Sequence, residues 1–304
     1  MPETTTESAE LYSAIEESAR LLGVSCSADS VRPVLSTYED ALPHAVICFR
    51  VATDERHAGE LNCHLMMLPK DVDPYALALS DGLIQPTGHP VGALLADIAQ
   101  RCPIDSYGID FGVVSGFQKA WAIFPADRMQ QLSTLADIPS MPKSLAGNLG
   151  FFTDRGVEGN ACLVGVDYAR RTANVYFGEL PDGCLEPDAV RSMHREIGLP
   201  EPSERMVTVA RQAFGFYTTL SWDSPRIERI SFSVMTPDPL ALPIEFDPTI
   251  EHFVTSVPYG TDGPKIVYAA MTATGEEYCK LQTYYRWRPR ILSFMQLADG
   301  GAGG

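Results

Sequence analysis

Glu277-Tyr278-Cys279-Lys280-Leu281-Gln282-Thr283-Tyr284 is the stretch of sequence that decides the fold. Because successive side chains of a strand point to opposite faces, Lys280 shares one face with Tyr278 and Tyr284, and Leu281 lies on the other. A surface sheet could solvate one such strand, but six strand-like segments of this chain combine a polar face with an apolar one. A closed barrel with a polar lumen and an apolar outside covered by helices satisfies all of them.

Two further segments combine a cation with aromatic or small polar neighbours. In Phe117-Gln118-Lys119-Ala120-Trp121 the lysine shares a face with the tryptophan, and Ile227-Glu228-Arg229-Ile230-Ser231 places an arginine beside small polar positions. If Lys119, Arg229 and Lys280 all face one lumen, they can bind a diphosphate together, since Arg and Lys are the usual phosphate partners. Any one of them alone is more often a charge at the rim of a sheet, so the prediction depends on their convergence.

The polar face extends to the first two predicted strands. Arg50 lies on the same face as Cys48, and Asn62 shares a face with His64. The opposite face of the second strand is apolar and consists of Leu61, Cys63, Leu65 and Met67. We therefore predict that Arg50, Asn62 and His64 face the lumen, with a polar outer surface as the alternative.

The composition excludes several classes of partner. The chain of 304 residues is 45% apolar and 20% charged, which is typical of a globular protein with a large core. Its formal charge of −16 argues against nucleic acid or an anionic membrane as a partner. No apolar stretch approaches the roughly 18 residues of a membrane span, and the opening Met1-Pro-Glu-Thr-Thr-Thr predicts no secretory leader. We therefore expect a cytoplasmic protein.

Motifs for metal, nucleotide and acyl chemistry are missing from the sequence. Its seven cysteines are an odd number without a CxxC pair, which predicts reduced thiols rather than disulfides or a zinc site. The histidines show no HExxH spacing, and there is no DDxxD cluster, Walker loop, GxGxxG or GxSxG motif. The sequence therefore predicts no resident metal or cofactor.

Predicted strands occur in adjacent pairs, each pair preceded by helix, which indicates antiparallel hairpins rather than βαβ units. The strands are predicted at Ala45–Ala52, Glu60–Leu68, Gly108–Val114, Gly116–Phe124, Ala161–Tyr168, Thr172–Glu179, Thr208–Phe216, Arg226–Met235, Lys265–Ala273 and Glu276–Trp287. The helices are predicted at Ser8–Leu22, Asp73–Leu83, Val91–Arg101, Ala126–Leu135, Pro142–Thr153, Glu186–Ile197, Glu201–Met206, Thr249–Val254 and Pro289–Leu297. With no linker in the middle, we predict one domain over residues 1–297 and a disordered glycine-rich tail over 298–304.

Several blocks of sequence, in order along the chain, carry a resemblance to a known family. The blocks are Leu35-Ser-Thr-Tyr38, Gly82-Leu-Ile-Gln-Pro-Thr-Gly-His-Pro-Val91, Phe124-Pro-Ala-Asp127, Ile138-Pro-Ser-Met-Pro142, Asn174-Val-Tyr-Phe177, Thr219-Leu-Ser-Trp222 and Glu276-Glu-Tyr-Cys-Lys-Leu-Gln-Thr-Tyr-Tyr285. Together, from about Leu11 to Leu297, they resemble the soluble bacterial aromatic prenyltransferases of the αββα (ABBA) barrel type. No single block would be specific enough.

The resemblance implies an α+β fold: a ten-stranded antiparallel β-barrel (PT barrel) with a solvent-filled lumen, surrounded by α-helices and built from five αββα-type repeats. It implies an active site in the lumen. The diphosphate residues that it implies are Lys119, Thr172, Asn174, Tyr217, Arg229 and Lys280. Strand alternation adds Arg50, Asn62 and His64 to this set. Those implied to be catalytic are Lys119, Arg229, Lys280 and Tyr217. Those implied to flank the prenyl chain and the aromatic acceptor are Trp121, Cys162, Tyr176, Phe214, Ser233, Gln282 and Tyr284. Strand alternation adds Cys48 and Gly215 to this group.

The first two strands depart from a magnesium-dependent member of the family. Asn62 stands where that member has an aspartate that ligates Mg²⁺, and a neutral amide is a poor ligand for this ion. Arg50 and His64 replace small serines there. We hypothesise that Arg50, with His64, supplies the positive charge that the metal supplies elsewhere, so that Mg²⁺ is dispensable. Further departures, on the side of the prenyl chain and acceptor, are Trp121, Cys162 and Gln282.

These features predict an aromatic prenyltransferase of secondary metabolism. It would move a dimethylallyl or geranyl group from its diphosphate to an electron-rich acceptor, such as a hydroxynaphthalene or another phenolic polyketide, by Friedel–Crafts alkylation. No residue is an obvious base for the ring proton. Two alternatives stay open: a barrel that binds an aromatic metabolite without catalysis, and a prenyl-diphosphate hydrolase or cyclase. Because a closed barrel has no open strand edge, we expect a monomer.

Overall fold

The computed structural model describes residues 6–54, 58–259 and 263–291 of the chain. The strands in these ranges are β1 (Val46–Ala52), β2 (Asn62–Leu68), β3 (Ser106–Gly112), β4 (Gly116–Ile123), β5 (Ala161–Asp167), β6 (Thr172–Phe177), β7 (Gly215–Ser221), β8 (Arg229–Thr236), β9 (Lys265–Thr272) and β10 (Glu277–Arg286). Each strand pairs antiparallel with its sequence neighbours, and β1 pairs with β10, which closes the barrel. The predicted ten-stranded antiparallel barrel is confirmed.

Helices of the described part of the chain surround this barrel. They are α1 (Thr6–Leu21), α2 (Ala28–Thr37), α3 (Pro74–Ser80), α4 (Val91–Arg101), α5 (Leu132–Ala136), α6 (Lys143–Gly147), α7 (Leu149–Thr153), α8 (Pro187–Glu196), α9 (Glu204–Ala210) and α10 (Pro248–Ser256). Their apolar sides meet the outer face of the barrel. None of these helices is both long and apolar enough to span a bilayer.

The main hydrophobic core lies outside the barrel wall, and a small second cluster lies inside it. Ile47 and Phe49 of β1 belong to the main core, together with Leu11 and Ile15 of α1. Their strand neighbour Cys48 belongs to the inner cluster. Full burial of one such apolar side chain contributes about 1.5–3 kcal/mol, so most of the burial energy comes from the outward-facing residues.

The strand predicted at Thr208–Phe216 is wrong in its first half. Ser203 caps α9, its side chain accepting a hydrogen bond from the Met206 backbone N–H, and the helix continues through Ala210. Val209 of this segment and Val207 just before it are buried in the helix, so packing overrides their strand preference. The strand β7 begins only at Gly215.

Two predicted helices also differ from those observed, and one observed helix was not predicted. The segment before α5 is extended because Gln130 forms a bridge with Ala161, so the helix begins at Leu132 rather than Ala126. The helix predicted at Pro142–Thr153 is divided at Asn148 into α6 and α7. The helix α2, which Ser27 caps, was not predicted. Most of the helix predicted at Pro289–Leu297, and the tail over 298–304, lie outside the described residues.

Met67 faces the lumen and not the outer core, contrary to the alternation pattern. The β2–β3 register shifts between Met66 and Leu68, and Met67 has a φ of 67°. Such a bulge adds a residue to one strand and reverses the side-chain direction beyond it. Met67 consequently borders the lumen cavity.

The two ends of the barrel differ chemically. Where β2 and β4 finish, the cavity is bordered by Met67 and Ile123, and we name this the apolar end. Where β6 and β8 begin, Arg170 and Arg229 border a surface depression, and we name this the polar end. All seven cysteines are free thiols, as predicted.

Candidate active site in the barrel lumen

Asp110 of β3 is a buried carboxylate at the centre of the polar lumen wall. Arg50 donates from Nη2 to its Oδ2 at 2.6 Å, and Asn62 donates from Nδ2 to its Oδ1 at 2.9 Å. Burial acts to raise the pKa of Asp110, but the adjacent Arg50 guanidinium outweighs it and holds that pKa well below its usual range. Asp110 is therefore ionised and neutralises Arg50.

His64 lies next to this pair and is neutral at pH 7. Its Nε2 lies 3.2 Å from Asp110 Oδ2, although the N–H is not aligned for a hydrogen bond. Burial, followed by the charge of Arg50, lowers the pKa of His64 to about 4. The positive charge expected from His64 is thus absent, and that of Arg50 is cancelled by Asp110. In the unliganded lumen the uncompensated charge therefore lies elsewhere than on Arg50 and His64, and the metal-replacement hypothesis stays a prediction.

Lys119 of β4 also has its own counterion. Its Nζ lies 3.2 Å from Oδ2 of Asp167, directly across the β4–β5 ladder. The Arg170 backbone N–H donates to the other oxygen of Asp167 at 2.8 Å. Burial favours a raised pKa for Asp167, but Lys119 outweighs it and the pKa is lowered. Lys119 is therefore compensated by Asp167, which the Arg170 guanidinium also approaches, at 3.7 Å.

Two lumen cations, Arg229 and Lys280, have no carboxylate partner among the described residues. Arg229 donates to Thr219 Oγ1 at 3.0 Å and to the Tyr278 hydroxyl at 2.8 Å. Lys280 borders the cavity, with its Nζ 5.7 Å from the centre of the Tyr278 ring. Burial, and then the charge of Arg229, holds the pKa of Lys280 well below its usual range. With Lys280 protonated, the lumen carries two uncompensated positive charges, which suits a multiply charged anion.

The cavity is walled by aromatic rings next to these cations. The rings of Tyr176 and Tyr217 stack with their centres 4.5 Å apart, and Trp121 donates from Nε1 to the Tyr176 hydroxyl at 3.3 Å. Most of the predicted site residues border the same cavity. They are Arg50, His64, Trp121, Cys162, Tyr176, Phe214, Gly215, Tyr217, Ser233, Lys280 and Gln282.

The other predicted diphosphate residues lie on the polar side of the cavity. Thr172 and Arg229 border the depression at the polar end. Asn174 is buried, and its Oδ1 accepts a hydrogen bond from Thr219, which in turn accepts one from Arg229. Asn62 points to Asp110. These residues orient the cations at one end of the lumen.

Cys48 and Tyr284 do not border the cavity, contrary to prediction. Both belong to the inner apolar cluster, where the Tyr284 ring packs edge-on against Trp287 at 4.6 Å. The Tyr284 hydroxyl accepts a hydrogen bond from Gln282, which does border the cavity. Tyr284 therefore fixes the position of Gln282 without bordering the cavity itself.

Trp121 is held between two glycines on the neighbouring strands. It lies opposite Gly108 of β3 on one side and Gly165 of β5 on the other. A Cβ atom on Gly165 would lie 2.6 Å from Trp121 Nε1, and one on Gly108 would lie 2.5 Å from Met66 Sδ. Only glycine lets the indole lie flat on the barrel wall.

Asp110 and Asp167, which pair with two of the predicted cations, were missed by the sequence reasoning. Asp110 alternates with Gly108 and Gly112, so its face could have been assigned from the same two-residue period. Its partners could not, because β2 and β3 are separated by two helices, and the register that places Asp110 opposite His64 is a property of the folded sheet.

Comparison with known sequences gives the following relatives. The sequence model described as aromatic prenyltransferase Orf2 matches residues 6–294. Over 284 residues the chain is 53% identical to a flaviolin linalyltransferase of Streptomyces virginiae, covering 93% of this chain and 94% of that protein. Over 297 residues it is 47% identical to a 5,10-dihydrophenazine-1-carboxylate 9-dimethylallyltransferase of Streptomyces anulatus, covering 98% and 99%.

Solved structures with the same fold are more distant in sequence. The prenyltransferase PriB, in a ternary complex with L-tryptophan and dimethylallyl thiolodiphosphate, matches with a TM-score of 0.63 at 10% identity, over 92% of this chain and 96% of that one. The 5-dimethylallyltryptophan synthase from Streptomyces coelicolor matches with a TM-score of 0.57 at 9% identity, over 94% and 100%. At these identities the likeness shows the fold alone.

Proposed function

This chain belongs to the aromatic prenyltransferase Orf2 family, and from that premise we propose that it transfers a five- or ten-carbon prenyl group from its diphosphate to an electron-rich aromatic ring. The observation that carries the proposal is the pair of uncompensated cations, Arg229 and Lys280, next to an aromatic-walled cavity. We propose a phenolic acceptor of the hydroxynaphthalene class in secondary metabolism. The relatives named for flaviolin and for a dihydrophenazine support an electron-rich bicyclic or tricyclic ring.

The reaction follows from the arrangement of charge. The carbon–oxygen bond of the prenyl diphosphate breaks, and its electron pair leaves with the diphosphate, whose growing charge Arg229 and Lys280 stabilise. The faces of Tyr176, Tyr217 and Trp121 stabilise the allylic cation by about 0.5–2 kcal/mol each and exclude water. The acceptor ring attacks this cation and then loses a proton.

We propose that Mg²⁺ is dispensable, for a reason that differs from charge replacement. Asp110 is the lumen carboxylate beside Asn62, and its oxygens are already engaged by Arg50 and Asn62. Placing Mg²⁺ there would require breaking a buried ion pair. The positive charge that the diphosphate needs comes from Arg229 and Lys280.

We also propose the oligomeric state, the location, the domain boundaries and the roles of the site residues. We propose a monomeric cytoplasmic enzyme with one domain over residues 1–297 and a tail over 298–304. We propose that Arg229 and Lys280, with Lys119, Thr172 and Asn174, bind the diphosphate. We propose that the uncharged residues bordering the cavity contact the prenyl chain and the acceptor, among them Trp121, Cys162, Tyr176, Phe214 and Gln282. Since the relatives are named as transferases, neither a non-catalytic barrel nor a hydrolase or cyclase is favoured.

The proposal is tested by incubating purified protein with dimethylallyl, geranyl or farnesyl diphosphate. Each donor is combined with flaviolin, 1,3,6,8-tetrahydroxynaphthalene or 5,10-dihydrophenazine-1-carboxylate, in EDTA and in excess Mg²⁺. Products are identified by liquid chromatography with mass spectrometry. We expect a prenylated product whose yield EDTA does not reduce. Product only with Mg²⁺ would contradict the magnesium proposal alone, and diphosphate release without a prenylated ring would favour a hydrolase.

Donor binding should take up a proton at Lys280. The pKa of Lys280 is depressed in the unliganded lumen, and a bound diphosphate raises it, so at a pH between the two values the complex holds the extra proton. Affinity therefore falls as the pH rises through that window. Calorimetry with a thiolodiphosphate analogue, in buffers of different ionisation enthalpy, measures the uptake. Lys280→Met should remove it, and an unchanged uptake in that variant would place the proton elsewhere.

Gly165→Ala should favour short donors. The added methyl group displaces the Trp121 indole from the barrel wall into the cavity, where it shortens the space for the prenyl chain. We expect the ratio of kcat/KM for dimethylallyl over geranyl diphosphate to rise about tenfold, the lower end of what one methylene decides in a pocket. Gly150→Ala on α7, where a Cβ meets nothing within 4 Å, is the matched control. Equal ratios in both variants would contradict the role given to Trp121.

A further inference from the structure

We propose that His64, which lies beside Asp110, is the general base that takes the proton from the alkylated ring. This inference rests on the proposed function, since it concerns the last step of the same reaction. It gives His64 a place on the acceptor side of the lumen, away from the role in diphosphate binding that the sequence suggested.

The geometry of the Asp110–His64 pair carries the proposal. His64 borders the cavity, and its ring centre lies 5.1 Å from that of Trp121. Its Nε2 faces Asp110 Oδ2 at 3.2 Å, which leaves Nδ1 as the ring nitrogen for the cavity. A carboxylate behind an imidazole fixes the tautomer and stabilises the imidazolium that forms when the ring accepts a proton. The N–H is poorly aligned in the empty lumen, as is common for catalytic hydrogen bonds before substrate binds.

Asp110 is fixed well enough to serve this purpose. It is 1% exposed and receives hydrogen bonds from Arg50 and Asn62, so its position does not depend on His64. Its low pKa keeps it ionised. It does not border the cavity, so it acts through His64 and is a positioning residue.

Several other groups that border the cavity in the described part of the chain are poor proton acceptors. Burial raises the pKa of the Cys162 thiol to about 12 and also raises the pKa values of Tyr176 and Tyr268, so all three stay protonated. Arg50 is a cation, and Lys280 is protonated once the diphosphate is bound, so neither accepts the ring proton. His64, with a pKa of about 4, is neutral at pH 7 and has a lone pair available. The arenium ion is a far stronger acid than an imidazolium, so this low basicity suffices.

The step is balanced without any further reactant. The ring carbon has already formed its bond to the allylic carbon, and the ring carries the positive charge. The carbon–hydrogen bond at that position breaks, its electron pair restores the aromatic ring, and the proton passes to His64 Nδ1. The resulting imidazolium, paired with Asp110, loses its proton to solvent when the product leaves.

His64→Gln tests the proposal, because the glutamine amide can still donate to Asp110 but cannot accept a proton. We expect kcat to fall about 10²-fold, the lower end of what a positioned general base contributes. With acceptor deuterated at the prenylated carbon, the variant should show a primary kinetic isotope effect that the unchanged protein lacks. Binding of a thiolodiphosphate analogue, measured by calorimetry, should stay within a factor of about three. Gly150→Ala on α7, where a Cβ meets nothing within 4 Å, should show no isotope effect.

His64→Ala with added imidazole is the second test, in case the glutamine variant does not fold. We expect imidazole to restore part of the lost kcat in this variant and to leave the Gly150→Ala protein unaffected. Unchanged kcat without an isotope effect in His64→Gln, or no rescue of a folded His64→Ala protein, would overturn the proposal. These outcomes are read only against prenylated product from the unchanged protein, so failure of the proposed function would appear first and separately.

Discussion

Lys280→Met is expected to lower kcat/KM for the prenyl diphosphate about 10³-fold and to make the unliganded protein more stable. The loss follows because a buried contact between opposite charges costs about 2–5 kcal/mol when one partner is truncated, and 1.4 kcal/mol is a factor of ten. Methionine has a similar length and no charge, so the lumen keeps its shape. The uncompensated charge left for the diphosphate falls to the single positive charge of Arg229.

The gain in stability has a separate cause. Lys280 is 5% exposed and has no carboxylate partner among the described residues, so folding buries an ammonium group without compensation. Replacing it leaves no other group unpaired, and we expect the free energy of unfolding to rise by about 1–2 kcal/mol, as for other substitutions that relieve a functional strain. Because the folded pKa lies below the unfolded one, the penalty is complete below the folded pKa and is relieved as the pH rises above it. The gain should therefore shrink at high pH.

Lys119→Met is the matched control, since this lysine is 6% exposed in the same lumen but is paired with Asp167. Its removal leaves a buried carboxylate with Arg170 alone, so we expect stability to fall and not to rise. Urea unfolding at several pH values, donor calorimetry and steady-state kinetics measure these effects. If both lysine variants lose stability, the inference that Lys280 carries an uncompensated charge is wrong.

Arg50→Met should destabilise the protein by about 3–5 kcal/mol, the range measured when one partner of a buried ion pair is removed. The guanidinium lies 2.6 Å from Asp110, and both side chains are buried. Its loss leaves Asp110 with the Asn62 amide and a neutral imidazole. The pKa of Asp110, which Arg50 now holds low, should rise towards its usual value.

The double variant Arg50→Met with Asp110→Asn should regain most of this loss. The asparagine oxygen still accepts a hydrogen bond from Asn62, and no charge is left unpaired. A double-mutant cycle from urea unfolding gives the coupling energy, which we expect at the upper end of about 0.5–3 kcal/mol. Because the pKa of Asp110 is lower in the folded state than its unfolded value of about 3.9, Asp110 contributes stability above that pH, and this contribution is lost as the pH falls. The difference in unfolding free energy between Arg50→Met and the unchanged protein should therefore become smaller in acid. Additive effects at pH 7 would mean that the pair contributes nothing.

Much of the barrel could be predicted from the two-residue period. Lys119 and Trp121, or Lys280 and Gln282, had to share a face once their segments were strands, and the structure places them so. The segment Thr208–Phe216 failed because its residues suit a strand and a buried helix face equally, and only the Ser203 cap and tertiary packing decide between them. The local sequence pattern therefore predicted which face a side chain points to better than it predicted whether a segment is a helix or a strand.

The charge balance of the lumen could not be predicted in the same way. Which acid meets which base depends on the cross-strand register, and the strands that carry Asp110 and Asp167 are separated by helices from the preceding strands that carry their partners. From the sequence alone Arg50, Lys119 and Lys280 are equally plausible as unpaired cations. In the structure Arg50 is paired with Asp110 and Lys119 with Asp167, whereas Lys280 has no carboxylate partner among the described residues. The distinction between a compensated and an uncompensated cation belongs to the three-dimensional arrangement.

Along a strand of the barrel, alternate residues serve different purposes: outward residues stabilise the fold, and inward residues line the site. Outward residues such as Ile47 and Phe49 hold the main core, whereas inward ones such as Cys162 and Gln282 contribute little burial energy. Selection for a new substrate can therefore act on alternate positions of a strand without passing through poorly folded intermediates. The exceptions are the inward charges, where Arg50 and Asp110 must change together. A library for altered specificity should vary the uncharged inward positions and keep that pair fixed.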